Sequence, residues 1–196
     1  MTPIRILLID DNPGDRALAI RALQPAFSSL QVLEILDQGS LNRTIREQNF
    51  DVVITDFQIR WTTGLDVLLA VKERDSNIPV VMFTDTGTEE IAVEAMKLGL
   101  DDYILKRSDR YTRLPGAVSR ALNNAKTRAE LQHYRSIRFE DLHQALHTIQ
   151  EVSSRLLTDQ SRPQSEQTDL QQIHDRAQQA TQIIQALNAA PTDSIS

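Results

Sequence analysis

The run Val52-Val53-Ile54-Thr55-Asp56 constrains this chain more than any other stretch. Four residues of strong β preference end in one carboxylate. An uninterrupted run of this kind suits a parallel strand covered by helices on both faces. Ligands of open α/β sheets bind outside the carboxyl ends of the strands, so Asp56 is expected at a functional edge. Three other strand-like runs end in chemistry-bearing residues. Ile4 to Ile9 leads into Asp10-Asp11, Val80 to Phe83 into Thr84-Asp85, and Tyr103-Ile104-Leu105 into Lys106. One sheet edge would gather two adjacent acids, a third acid, a hydroxyl and a lysine.

Helical patterns separate the strands. Pro13 suits the first turn of a helix that continues from Arg16 to Leu23. A second strand spans Val32 to Leu36, and Ser40 can cap a helix from Leu41 to about Gln48. Thr62-Thr63-Gly64 breaks the chain before a helix opening at Leu65. Glu89 to Leu98 is amphipathic and stops at Gly99. This strict alternation predicts an α/β fold, a doubly wound five-stranded parallel sheet. Net charge is −6, and neither residues 1–125 nor 126–196 are basic, so no nucleic-acid footprint is expected. The absence of cysteine excludes disulfides and thiolate chemistry. No apolar run is long enough to span a membrane and no signal pattern opens the chain, so a cytoplasmic location is the expectation.

The spacing Asp10-Asp11, Asp56, Thr84, Tyr103, Lys106, with Gly64 eight residues past Asp56, resembles the receiver domain of two-component response regulators. So does the run Glu89 to Gly99 followed by Asp102-Tyr103-Ile104-Leu105-Lys106. The resemblance covers residues 4 to about 125. It implies that Asp56 accepts a phosphoryl group from a sensor histidine kinase. It implies Mg²⁺ at Asp10, Asp11 and Asp56, partly through water, with the main-chain carbonyl of Gln58 as a further ligand. Lys106 would pair with a phosphoryl oxygen, and Thr84 and Tyr103 would form the switch. No enzymatic output is implied beyond self-catalysed phosphoryl acceptance and hydrolysis. Singly, these residues have plainer roles: a helix cap for Asp10 or Asp11, a solvated charge for Lys106, a loop bond for Thr84, packing for Tyr103. The joint spacing carries the reading. Three positions depart from the family pattern: Arg60 and Trp61 where a proline usually follows the acceptor, Asp85 where a small residue follows the switch threonine, and Arg107 in place of a proline. Asp85 would either repel the incoming phosphoryl group or cap the helix at Glu89.

Beyond residue 125 the pattern turns helical. Pro115 opens a helix whose Leu122, Ala125, Ala129, Gln132, Ser136 and Phe139, then Leu142, Leu146, Ile149, Val152 and Leu156, follow steps of three and four. Thr158 to Thr168, with Pro163, reads as a turn. A second helix carries Leu170, Ile173, Ala177, Ala180, Ile184 and Leu187. The expected organisation is a receiver over 1–125, an all-α helical hairpin over 126–190, and a frayed tail over 191–196. Two hairpins would pair into a four-helix bundle, making a homodimer or docking a downstream partner. The hairpin loosely resembles the dimerisation and phosphotransfer helices of histidine kinases, with Glu140-Asp141-Leu142-His143 at the place of their histidine box. Rival readings are a phosphotransferase using His143 or His147, and a pseudo-receiver scaffold that takes no phosphate. His133 and His174 carry no further signal.

Overall fold

The computed structural model describes residues 2–47, 49–106, 111–159 and 161–189. The strands are β1 (Ile4–Ile9), β2 (Leu30–Ile35), β3 (Val52–Thr55), β4 (Gln58–Ile59), β5 (Thr62–Thr63), β6 (Val80–Thr84) and β7 (Asp102–Leu105). Five form one parallel sheet in the order β2-β1-β3-β6-β7. The helices of this region are α1 (Pro13–Leu23), α2 (Gln38–Glu47), α3 (Gly64–Arg74) and α4 (Glu89–Lys97), followed by the start of α5 (Leu114–Leu157). The doubly wound parallel sheet expected from the alternation is the fold observed.

Period-two alternation within each strand divides the core into two layers. Ile6, Leu8, Val52, Ile54, Val81 and Phe83 pack with Ala19 and Leu23 of α1 and with Leu114, Ala117, Val118 and Ala121 of α5. Leu7, Ile9, Val53, Val80 and Met82 pack on the other face with Leu41 of α2, Val67, Leu68 and Val71 of α3, and Ala95 of α4. Both faces are covered, which is why β3 is buried at every position.

Local departures from the expected boundaries have local causes. Strand β2 starts at Leu30 because it pairs in register with β1 from Ile4↔Leu30. The cap of α2 is Asp37, not Ser40: its carboxylate accepts from the Ser40 amide at 2.8 Å and the Ser40 hydroxyl at 2.7 Å. Those bonds hold the Asp37 pKa below the usual carboxylate value. Thr62-Thr63 is more than a break. It forms an antiparallel ribbon with Gln58-Ile59, and Thr63 then caps α3 in a capping box with Asp66. Gly99 takes φ +90° just past α4, where the Leu100 amide returns to the Ala95 carbonyl at 3.0 Å and the Gly99 amide to that of Met96 at 3.1 Å. This is a Schellman stop, which favours glycine.

The chain divides into two compact units, Met1–Ala129 and Glu130–Ser196. The second holds the rest of α5 and α6 (Gln164–Ala189). The turn before α6 ends earlier than expected, at Pro163, whose carbonyl accepts from Gln167. Gln150 donates to Thr181 at 3.0 Å, and Ser153 meets His174 at 3.0 Å. Rising numbers on α5 meet falling numbers on α6, so the hairpin is antiparallel. Its apolar seams match the expected ones in part. Ser153, Ala177 and Ile184 are buried, whereas Leu142, Ile149, Val152, Ile173 and Leu187 remain exposed. Leu146, Leu156 and Leu170 are half-buried. The expected tail and Arg107 lie outside the described residues. No described helix is long and apolar enough to cross a membrane.

Candidate functional site: a lysine among three carboxylates

The strands deliver their terminal residues to one edge. The Asp56 amide donates to the Ile9 carbonyl at 2.8 Å, and the Lys106 amide to the Thr84 carbonyl at 2.7 Å, so the ends of β1, β3, β6 and β7 are level. There the Lys106 ammonium donates to Asp10 Oδ2 at 2.6 Å, Asp56 Oδ2 at 2.7 Å and Asp15 Oδ2 at 2.9 Å. Its side chain is 2 % exposed. Three donors meet three acceptors, one to each carboxylate. Burial alone would depress the Lys106 pKa, but the three carboxylates outweigh it and hold it above the ordinary lysine value. Asp10 moves the other way from a usual ion-paired acid. Burial raises its pKa more than the bonds from Lys106 and the Asn12 amide lower it.

Asp56 is fixed from behind. Its Oδ1 accepts from the amides of Phe57 at 2.6 Å and Gln58 at 3.3 Å, leaving Oδ2 toward the lysine. The Gly64 amide donates to the Phe57 carbonyl at 2.8 Å. A Cβ at Gly64 would stand 2.5 Å from the Asp56 carbonyl oxygen and 2.9 Å from Phe57 Cα, so the loop after β3 closes on a glycine because nothing larger fits.

Asp10, Asp56 and Lys106 come together as the sequence suggested. Asp11 does not join them. Its Oδ2 takes the Arg60 guanidinium at 2.9 Å, and Arg60 also reaches the Asp11 carbonyl at 3.4 Å. Gln58 lies in β4 with its amide on Asp56. The Thr84 hydroxyl is buried, donating to the Thr86 carbonyl at 2.9 Å and accepting from the Thr86 amide. The Tyr103 ring is turned inward against the Met82 layer, into the space a side chain on Gly87 would need. Its hydroxyl finds no hydrogen-bond partner among the described residues, and burial together with the Asp56 charge raises its pKa. Asp85 is exposed, and the cap of α4 is Thr88, which accepts from the Ile91 amide. The capping role considered for Asp85 therefore belongs to Thr88.

Two residues of the site were missed from the sequence. Asp15, in the first turn of α1, looks like an ordinary helix-start acid. Tyr111 donates to Asp15 Oδ1 at 3.0 Å, and burial with that carboxylate raises its pKa. In the second unit His143 is half-buried, and His147 is exposed beside Glu151 at 3.9 Å.

The donor set bears on a metal. Asp10 and Asp56 already converge on one cationic atom, and hard carboxylate oxygens suit Mg²⁺, which commonly takes one or two carboxylates and completes its shell with water. Among the described residues no cage of three or more His, Cys, Asp or Glu side chains is formed. A site here would rest on two carboxylates, not on a closed protein cage.

The chain is 37 % identical over 75 residues to the regulatory protein LuxO of Vibrio cholerae, covering 38 % of this chain and 16 % of that protein. It is 31 % identical over 129 residues to the transcriptional regulatory protein ZraR of Salmonella typhimurium, covering 65 % and 29 %. The chain thus spans less than a third of the length of these curated relatives. The crystal structure of a CheY-like receiver domain protein from Methanospirillum hungatei shares the fold, with a TM-score of 0.58 and 19 % identity over 65 % of this chain and 99 % of that one. The model of the response regulator receiver domain matches residues 6–115. A match across more than half of the chain, on the sheet whose edge carries these acids and this lysine, makes the protein a member of the response regulator receiver family.

Proposed function

We propose that Asp56 accepts a phosphoryl group from a sensor histidine kinase in the presence of Mg²⁺, and that the C-terminal hairpin joins two copies of the chain. Receiver domains in general take phosphoryl groups from such kinases and bind Mg²⁺. One observation carries the assignment to these residues: a single buried ammonium bridges the Asp10 and Asp56 carboxylates at 2.6 and 2.7 Å. Asp56 Oδ2 attacks the phosphorus of the donor. The bond from phosphorus to the donor's imidazole nitrogen or acyl oxygen breaks, and its electron pair leaves with the donor. The Phe57 and Gln58 amides hold Oδ1, which fixes the line of attack. Mg²⁺, when bound at Asp10 and Asp56, neutralises charge on the phosphoryl oxygens. Asp11, water and the Gln58 carbonyl would complete its shell once Arg60 releases Asp11. Lys106 pairs with a phosphoryl oxygen as a compact charge. Thr84 leaves the Thr86 carbonyl to bond another, and Tyr103 follows it.

The test is incubation with Mg²⁺ and a small acyl phosphate, read by intact mass. Wild type should gain one phosphoryl group and Asp56→Asn none, and chelation should abolish the gain. Labelling of Asp56→Asn at the wild-type rate would overturn the assignment. Label on a histidine, stable to base and labile to acid, would favour His143 or His147. No label with dimerisation intact would favour the scaffold.

A further inference from the structure

We propose that Asp15 is a positioning residue that anchors Lys106 so that Asp10 and Asp56 can be yielded to a divalent cation. The proposal rests on the phosphoacceptor reading above and deepens it. Asp15 is one of three carboxylates on the Lys106 ammonium, and the one whose other oxygen is held by a side chain rather than by a main-chain amide. Its Oδ2 accepts from Lys106 at 2.9 Å and its Oδ1 from the Tyr111 hydroxyl at 3.0 Å. Tyr111 is itself seated, its ring edge-on to Phe83 with centroids 5.0 Å apart. The Lys106 ammonium lies 5.9 Å over the same Phe83 ring. The Asp15 side chain is 16 % exposed. An acid serving only the first turn of α1 needs neither the lysine nor the tyrosine, because Asn12 already caps that helix.

The reason for a third acid is competition. Lys106 and a divalent cation want the same two carboxylates. A lysine held by Asp10 and Asp56 alone must either block the cation or lose both partners. With Asp15, it retains a charged partner on the α1 side after giving up the others. It stays beside the acceptor oxygen while the cation takes its place. Removing the Asp15 charge should therefore weaken cation binding, although Asp15 is not a ligand.

The experiment uses the full chain and its single tryptophan, Trp61, which lies beside Arg60 and Asp11. Trp61 fluorescence is titrated with MgCl₂ without phosphodonor, and exchange of the Lys106 ammonium hydrogens is followed by NMR without metal. Asp15→Asn should bind Mg²⁺ about tenfold more weakly, as removal of an outer partner at a metal site commonly does. It should also speed ammonium exchange. Asp15→Glu should restore affinity toward wild type, and Tyr111→Phe should fall between. Wild-type affinity in Asp15→Asn overturns the proposal. So does equal loss in Asp15→Asn and Asp15→Glu with matching falls in melting temperature, which marks a helix-start role. Failure of wild type to bind Mg²⁺ or take phosphate defeats the phosphoacceptor reading; the metal-free exchange still decides whether Asp15 anchors Lys106.

Discussion

Arg60 holds Asp11 away from the acids beside it. Its side chain is 79 % exposed, so its pairing with Asp11 contributes little stability. Arg60→Ala should change stability by no more than about 0.5 kcal/mol, as surface substitutions usually do. It should also free Asp11 to turn toward Asp10 and Asp56, so Mg²⁺ should bind more tightly in a Trp61 fluorescence titration. Unchanged or weaker binding would show that Asp11 is not recruited. Asp85 is exposed and directly follows Thr84 at the end of β6, the strand whose end meets Lys106. A like charge about 6 Å from an incoming phosphoryl group costs on the order of 1–3 kcal/mol at an effective dielectric near 20, before solvent screening. Asp85→Ala should thus speed phosphorylation by a small donor, with high salt narrowing the gap; a slower mutant of unchanged stability would contradict this. Asp10, Asp56 and Lys106 were legible because strand ends are fixed points in a parallel sheet. Asp15 and Tyr111 were not. One resembles a helix-start acid, the other lies in a short turn with no periodicity, and only three-dimensional proximity gives them a common partner.

At the scale of elements, the alternation of strands and helices was legible because each covered strand must be apolar on both sides. Helix starts were less so, since Asp37 and Ser40 are both good capping residues and only geometry chooses. The ribbon of β4 and β5 is too short for a period-two signal. Two positions show how elements hold the site. A methyl at Gly64 would press on the Asp56 carbonyl and the Phe57 backbone, neither of which can yield as a flexible side chain would. Gly64→Ala should cost about 1–3 kcal/mol in urea unfolding, the range for overpacking a tight site, and should slow phosphorylation by shifting Asp56. The second is Asp101, whose side chain is 4 % exposed. It accepts from Lys72 at 3.0 Å, Arg128 at 2.7 Å and the Val80 amide at 2.9 Å, tying α3, α5 and β6 together. Asp101→Ala removes the charged partner of the mostly buried Lys72 and the acceptor of the Val80 amide, and should cost about 3 kcal/mol, as breaking a buried pair by removing one partner does. A loss well below 1 kcal/mol would mean that water replaces the carboxylate.

For the whole molecule, the C-terminal unit poses a problem of unburied surface. Between its helices lie Ser153, Ala177, Gln150 and Thr181, a line with Ile184 buried among them. Six larger aliphatics are outside that line: Leu142, Ile149 and Val152 on α5, and Ile173, Ile183 and Leu187 on α6. At 3.6 residues per turn each outer stripe lies roughly a quarter turn from its helix's inner face, in the same rotational sense on both helices. In an antiparallel pair, the same sense puts both stripes on the same broad side. Sequence periodicity could not separate these stripes from the inner line, because steps of three and four run through both. The result is one flat apolar face, whereas a monomeric surface usually carries single apolar residues scattered among polar ones. A second copy laid against it completes a four-helix bundle with the stripes inside. The full chain should therefore be a dimer by light scattering with or without Mg²⁺, and a chain ending at Ala129 should be a monomer. Ile149→Glu with Ile183→Glu places charges on the outer face only. This double variant should be monomeric while retaining its far-ultraviolet helical signal, because the Gln150–Thr181 and Ser153–His174 contacts of the inner line are untouched. A double variant that dimerises as tightly as wild type would remove this face from the interface, and a truncated chain that still dimerises at full affinity would move the interface to the receiver sheet and its helices.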